Sequence, residues 1–390
     1  MNYLGKLITE LCNNGVKYQT IKELAEVGTG SSNGNEAQDD GLYPFFIRSQ
    51  TVKCKNDWEY DEEAIIIPGE GGIGEIYHYI NGKYAIHQRV YRIHFIDDSM
   101  NVKFAFHYFR AYFKQFIIKK AVSATVQSIR KPMIEDFSIP VPSPEIQKEI
   151  VRILDTFTEL TAELTAELTA RKKQYKYYRD QLLNFKEKNV DWSPLEEIFE
   201  LKNGYTPSKL NQKYWKDGTI PWFRMEDIRE NGRVLNKSIQ YVNSCAIKGG
   251  KLFPADSIII ATSATIGEHA LITVPFLCNQ RFTNLSLKSQ YTNKFLIKFL
   301  FYYGFVLDEW CKNNINIGNF AGVDMNGFKK FPIPIPPLEE QARIVSILDK
   351  FDTLATSISE GLPKEIELRQ KQYEYYRDML LVFPKDKVKA

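Results

Sequence analysis

The sequence predicts an α+β fold: two globular mixed α/β domains separated by two long antiparallel coiled-coil helices, related by a pseudo-two-fold internal repeat. Three observations predict it. Two blocks of sequence recur at nearly two hundred residues' separation. Within each block the apolar residues step by three and four, the period of one helix face. The segments before each block carry short β-branched and aromatic runs broken by glycine and proline, and these also recur, more faintly.

The strong repeat comes first because it fixes the organisation. FSIPVPSPEIQKEIVRILDTFTEL (137–160) aligns without a gap to FPIPIPPLEEQARIVSILDKFDTL (331–354), with thirteen of twenty-four positions identical. RKKQYKYYRDQLLNF (171–185) matches RQKQYEYYRDMLLVF (369–383) at eleven of fifteen. Ten residues separate the blocks in the first copy and fourteen in the second. The difference is about one helical turn, a change that a helix can absorb.

The expected layout is a first globular domain at 1–142, a helix at 143–185, a second globular domain at 186–336, a helix at 337–384 and a basic tail at 385–390. Ser143 is suited to cap the first helix, with Pro144 at the first helical position, where a missing N–H costs nothing. Ile146, Ile150, Ile153, Phe157, Leu160, Leu164, Leu168, Tyr175, Tyr178 and Leu182 then mark a seam like that of a coiled coil. About 40 residues at 1.5 Å each would make a rod of about 60 Å. The second helix repeats the seam through Ile344, Ile347, Phe351, Leu354, Ile358, Ile366, Tyr373, Tyr376 and Leu380. Gly361 and Pro363 interrupt it, so a kink or break is expected at 361–363. Each helix leaves a stripe that needs a partner, and the other helix is the simplest one.

Bulk properties bound the function. A chain of 390 residues is too long for one ordinary core. With 44% hydrophobic and 25% charged residues it is globular, and a net charge of +3 gives no global basic field. The five cysteines (12, 54, 245, 278, 311) are far apart and form no C-x-x-C pair, against a disulfide framework or zinc site. The opening MNYLGKLITELCNN lacks the apolar core of a signal peptide. FLIKFLFYYGFVL (295–307) is too short to span a bilayer, so the expected address is the cytoplasm, with no membrane partner.

AIIIPGEGGIGE (64–75) spells a dinucleotide-binding loop, Gly69-x-Gly71-x-x-Gly74 after a β-branched run. The fainter repeat argues against that reading. The matching segment is SIIIATSATIGE (257–268), where Gly69, Gly71 and Gly72 become Thr262, Ala264 and Thr265. A pyrophosphate cradle would not survive those changes. Downstream, IYHYINGKYAIHQRVYRI alternates with period two around Asn81-Gly82, a hairpin signal where a dinucleotide fold needs a helix. The glycines are expected in a tight turn between strands. Other faint matches pair 16–30 with 190–204, GLYPFF (41–46) with GTIPWF (218–223), and Gln88-Arg89 with Gln280-Arg281.

No catalytic constellation stands out. There is neither an N/D-P-P-Y/F loop nor a G-x-x-x-x-G-K-[ST] phosphate loop, and His78, His87, His94, His107 and His269 lack metal spacing. No catalytic, cofactor-binding or metal-ligating residue is assigned.

Two variable globular units, two near-identical helices and "F-x-I-P-x-P … Q-x-x-I-V-x-I-L-D" at each helix entrance resemble the specificity (S) subunit of type I restriction–modification enzymes. TAELTAEL (161–168) resembles the short helical repeat of one branch of that family. The resemblance covers essentially the whole chain. It implies a non-catalytic subunit in which each globular unit is a target-recognition domain for one half of a bipartite, gapped double-stranded DNA site. The helices would set the gap and dock two methyltransferase subunits, and motor-nuclease subunits would complete the enzyme. S-adenosylmethionine, ATP and Mg would then belong to the partners, and this chain would hold no cofactor. A coiled-coil scaffold with protein-binding globular domains is the alternative.

Sequence readout needs side chains that fork onto base edges and cations that meet phosphates. Candidates in the first unit are Arg48, Ser49 and Gln50, after an apolar run, then Arg89, Lys119, Lys120, Arg130 and Lys131, the last two within the basic stretch TVQSIRK (125–131). In the second unit they are Arg224, Glu226, Asp227, Arg281, Lys312, Asn313, Asn314, Lys329 and Lys330. The candidates for subunit docking are Tyr175, Tyr177, Tyr178, Tyr373, Tyr375 and Tyr376, with core packing the competing role.

Overall fold

Apolar runs bounded by glycine and proline become strands in both halves of the chain. The computed structural model describes residues 15–120, 128–316, 321–356 and 360–384. The first fourteen residues with Cys12, positions 125–127 of the basic stretch, Ile358 of the seam and the tail at 385–390 therefore lie outside the described residues. The fold is mixed α/β, and the chain divides into two compact units. One comprises residues 1–162 with 368–390, the other residues 163–367.

In the first unit β1 (Tyr18–Thr20) pairs with β8 (Ser138–Pro140). Between them lie β2 (Ala25–Thr29), β3 (Tyr43–Phe46), β4 (Lys53–Lys55), β5 (Tyr60–Pro68), β6 (His78–Ile86) and β7 (Val90–Phe95). These form a six-stranded sheet in the order β2-β7-β5-β6-β3-β4, antiparallel except for β3 on β6. β5 is buried on both faces, which its unbroken Ala64–Ile67 run requires. Because side chains alternate along a strand, Ile65 and Ile67 join the main core while Ala64 and Ile66 join a second cluster with Phe46, Tyr84 and Ile86. Each buried isoleucine contributes about 1.5–3 kcal/mol. Helix α1 (Val102–Lys120) covers the main core with Phe104, Tyr108, Phe109, Phe113 and Ile117.

One hairpin lies elsewhere than expected. Asn81 and Gly82 sit inside β6, opposite Glu63 and Glu62 of β5, and Gly82 takes a φ of 120° without turning the chain. The reversal is made by the glycine loop itself, where Gly71, Gly72 and Gly74 all have φ near 67°. The long apolar β5 needs β6 as a full-length partner, and tertiary pairing overrides the Asn-Gly turn preference.

The second unit contains β9 (Asp191–Pro194), β10 (Phe199–Asn203), β11 (Ile220–Phe223), β12 (Val234–Leu235), β13 (Tyr241–Val242), β14 (Ser257–Ala261), β15 (His269–Ile272), β16 (Leu277–Cys278) and β17 (Phe282–Leu287). Their sheets run β10-β17-β14-β15-β12 and β13-β11-β16, and β9 pairs with β20 (Pro332–Ile335) beyond the short β18 (Ile315–Asn316) and β19 (Gly322–Val323). β14 divides its side chains as β5 does: Ile258 and Ile260 face the main core, Ile259 and Ala261 the other.

Helix α2 (Pro144–Leu182) is 39 residues long, and α3 (Ile297–Asn313) packs in the second unit's core. The second repeat block forms α4 (Leu338–Thr356) and α5 (Gly361–Leu380), interrupted at Gly361, whose φ is 75°. The buried line differs from the expected seam by one step. Ile146, Ile150 and Leu154 are buried, as are Ile344 and Leu348, whereas Ile153 and Ile347 are only half-buried. A stripe pressed against a broad globular core follows i, i+4 spacing more closely than the 3.5-residue seam of a coiled coil.

Candidate nucleic-acid interface

The Gln-Arg dipeptides 88–89 and 280–281 sit in turns built by the same four bonds. Val90 N–H donates to the His87 carbonyl and Phe282 N–H to that of Asn279. Arg89 N–H donates to His87 Nδ1 at 3.0 Å, and Arg281 N–H to Asn279 Oδ1 at 3.0 Å. His87 N–H and Asn279 N–H reach back to the carbonyls of Phe46 and Phe223, at the ends of β3 and β11. Finally, the Arg89 and Arg281 carbonyls accept from Gly69 and Thr262. Each turn is thus tied to the end of a PFF/PWF strand and to the loop after the central strand. Burial first, then the nearby Arg48 and Arg89 charges, lower the His87 pKa, which keeps the ring neutral and Nδ1 free to accept.

Side-chain bonds anchor the glutamines. Gln88 Nε2 donates to Asn33 Oδ1 at 2.8 Å, while Thr206 Oγ1 donates to Gln280 Oε1. The arginines point outward. Arg89 Nη1 lies 2.9 Å from Glu70 Oε2, and Arg48 Nη1 lies 3.1 Å from the same oxygen. The hydrogen bond from Arg89, followed by the two positive charges, holds the Glu70 carboxyl below the usual range. Arg281 is exposed and forms no ion pair among the described residues.

The other candidates divide by burial and partner. Ser49 is half-buried, its carbonyl 3.2 Å from His78 Nε2, and Gln50 is exposed. Lys119 and Arg130 are exposed; Lys120 pairs with Asp136 at 2.7 Å and Lys131 with Glu135 at 3.6 Å. Arg224 is half-buried beside Glu226, at 3.9 Å, and lies over the Trp222 ring. Lys312 bonds Glu309 at 2.8 Å, while Lys329 and Lys330 are exposed.

Burial and intramolecular bonds distinguish the remaining candidates, and Asp227 is the one DNA candidate that burial removes from the surface. Asp227 is fully buried: its carboxylate accepts from Arg224 N–H at 2.7 Å and Ile239 N–H at 2.6 Å, capping the helix Met225–Asn231. An acidic residue three positions into a helix commonly bonds back to the cap, and full burial keeps this carboxylate from reaching a base. Asn313 and Asn314 turn their amides onto the Glu309 and Trp310 carbonyls, closing the C-terminus of α3. Tyr175 is buried and stacked on Phe351, so it belongs to the core. Tyr373 faces His107, and Tyr376 stacks on Phe157 at 5.2 Å; both are half-buried. Tyr178 also stacks on Phe351 but is 42% exposed. Tyr177 and Tyr375, one residue off the packed stripe, are 62% and 66% exposed.

Glu70 escaped the sequence reading because its significance depends on two arginines from distant segments. Its one signal in the sequence was its place within the glycine loop. Gln147 and Gln341, fully buried where α2 and α4 begin, were also missed, although both lie in the repeated block.

The family model for the type I restriction modification DNA specificity domain matches residues 13–171 and again 187–368. The chain is 56% identical over 220 residues to the type I restriction enzyme EcoprrI specificity subunit of Escherichia coli, covering 55% of this chain and 54% of that one. It is 47% identical over 261 residues to the EcoR124I/EcoR124II specificity subunit of the same species, covering 63% of each. These matches span about half to two thirds of those relatives. A putative type I specificity subunit of Haemophilus influenzae, S.HindORF215P, is 29% identical over 403 residues, 98% of both chains. Among solved structures, the S subunit of a type I restriction–modification system from M. genitalium aligns with a TM-score of 0.58 at 17% identity, over 95% of this chain and 96% of that one. A chain from a study of complex assembly and conformational transition in the type I R-M system aligns at 0.61 and 14% identity, over 94% and 97%. At such identities these two likenesses establish the fold.

Proposed function

The chain belongs to the family of type I restriction–modification specificity subunits, and from that premise we propose that each globular unit reads one half of a bipartite, gapped duplex DNA site. In this reading α2, α4 and α5 form antiparallel spacers that set the gap and carry two methyltransferase subunits. Methyl transfer, ATP hydrolysis and cleavage then belong to partner subunits, this chain supplying the address alone.

One observation carries the reading: two outward arginines, Arg89 and Arg281, held by the same four bonds in two separate units. Arginine is the side chain best matched to guanine O6/N7 and to phosphate, and duplicated presentation suits a site read in two halves. Arg48, Gln50, Lys119, Arg130, Lys329 and Lys330 are the exposed groups proposed to support it. Tyr177 and Tyr375 are the proposed docking aromatics, being large, exposed and repeated.

The test is duplex DNA retention by the full chain co-purified with its methyltransferase subunits, titrated with salt, together with mapping of methylated bases in cells carrying both genes. A split recognition sequence and a steep loss of binding with salt are expected. Arg89→Ala and Arg281→Ala should each weaken binding while the complex stays assembled. Salt-insensitive or absent DNA retention would favour a protein-binding scaffold.

A further inference from the structure

Arg48 and Arg89 arrive from different segments, one after β3 and one from the turn before β7, yet both end on Glu70 Oε2. All three side chains are substantially exposed, at 44%, 55% and 37%. Exposed ion pairs contribute little to stability. A carboxylate on a surface that must meet phosphate also weakens general attraction to DNA. Its presence therefore needs another reason, and the loop that places it is tightly constrained. Gly69 N–H bonds the Arg89 carbonyl, and a Cβ at Gly69 would press within about 3 Å of that oxygen and of the Tyr91 ring. Gly71 and Gly72, just after Glu70, both hold the left-handed conformation.

An arginine reads guanine when two of its planar donors are fixed toward O6 and N7, and a free arginine loses considerable rotamer freedom in getting there. Glu70 engages one Nη1 from each arginine. Among the described residues the Nε and Nη2 donors of both have no partner, on guanidinium planes that Glu70 already orients. The second unit has Ser263 at the matching position, and Arg281 there has no carboxylate clamp among the described residues.

We propose that Glu70 is a positioning residue for base specificity in the first half-site, clamping Arg48 and Arg89 as a paired guanine-reading fork while lowering non-specific attraction to the phosphate backbone. The proposal rests on the reading of the units as DNA readers. Discrimination in the first half-site would come from preorganised arginines, and removing the carboxylate would exchange specificity for charge.

The experiment uses the full chain with its methyltransferase subunits and compares wild type with Glu70→Gln, Glu70→Asp, the Arg48→Ala/Arg89→Ala pair, and that pair combined with Glu70→Gln. Methylated-base mapping reads each half-site, and DNA retention against salt reads charge. For Glu70→Gln, discrimination at guanine positions of the first half should fall roughly tenfold. The second half should stay strict, and the salt dependence should steepen by about one phosphate's worth of slope. Glu70→Asp, which keeps the charge but withdraws it by one methylene, should relax the first half without changing the slope. The triple variant should be no worse than the arginine pair alone. A strict first half in Glu70→Gln, or a strict one in Glu70→Asp, would overturn the clamp. Further loss in the triple variant would show instead that Glu70 touches DNA itself. If the arginine pair leaves both DNA retention and the first half-site intact, the reading of this surface as a DNA interface fails, independently of Glu70.

Discussion

Gln147 and Gln341 make the same three side-chain bonds in their respective units. Gln147 Oε1 accepts from Asn101 N–H at 2.7 Å, and its Nε2 donates to the Ser99 and Pro142 carbonyls. Gln341 Oε1 accepts from Leu296 N–H at 2.9 Å, and its Nε2 donates to the Lys294 and Pro336 carbonyls. Each thus ties the proline-rich strand exit, the start of a long helix and the loop or turn before the domain's own helix into one joint. Gln147→Ala or Gln341→Ala leaves these backbone groups without their side-chain partner and should cost about 2–4 kcal/mol. Urea denaturation of the full chain measures it, and a loss within 0.5 kcal/mol (about the effect of an ordinary surface change) would argue against the joint.

Asp155 provides a pH-dependent contact in the first unit. Its carboxylate lies 2.9 Å from His107 Nε2 and 2.7 Å from Lys103 Nζ. The His107 bond, and then Lys103, lower its pKa against the opposing effect of burial. A lowered carboxyl pKa stabilises the fold above the ordinary aspartate value of about 4, and that stabilisation is lost as pH falls through the lower folded value. Asp155→Asn should therefore be less stable than wild type near neutrality, by about 1–2 kcal/mol, with the two converging in acid. Denaturation midpoints followed across pH would show this, and a constant difference would exclude ionisation as the cause.

Exposed and buried tyrosines of the repeated block should separate cleanly. Tyr177→Ala with Tyr375→Ala should leave stability within about 0.5 kcal/mol yet reduce methyltransferase co-purification. Tyr175→Ala, which empties a site against Phe351, should instead cost about 3 kcal/mol. Full co-purification by the double variant would assign Tyr177 and Tyr375 to the solvated surface.

The TAEL tract tests the spacer role. One further TAEL unit after Leu168 adds about 6 Å to α2 and rotates the remainder of the helix by about 40° beyond a full turn. Base pairs rise about 3.4 Å and turn about 35°, so the facing of each unit on its groove is nearly kept. Both half-site sequences should persist while the gap grows by about one or two base pairs. Methylated-base mapping decides it: an unchanged gap at full activity, or altered half-site bases, would show that the helices do not set the spacing.

Asp227→Asn should behave as a cap variant, losing about 1 kcal/mol of stability without changing the second half-site. A changed half-site at normal stability would return Asp227 to the DNA surface.

What the sequence determined by itself is whatever depends on local pattern. The β-branched runs of β5 and β14, the helical stepping from Pro144 onward and the interruption at Gly361 arise from short-range sterics and burial, and all could be read from residue order. So could the pairing of Arg89 with Arg281, because it was written as a repeat. The tertiary structure decided the features that require two distant segments to meet. It put Asn81-Gly82 inside a strand, since partner register outweighs a turn preference. It turned Asp227, Asn313 and Asn314 back onto their own helices, where their side chains satisfy backbone groups at the helix ends. It separated Tyr175 from Tyr177 by whether each faced a core, and it brought Arg48 and Arg89 onto Glu70. Backbone sterics act between neighbours in the chain and are visible in sequence; burial, satisfaction of buried polar groups and charge pairing act through space, and only the folded chain assigns them.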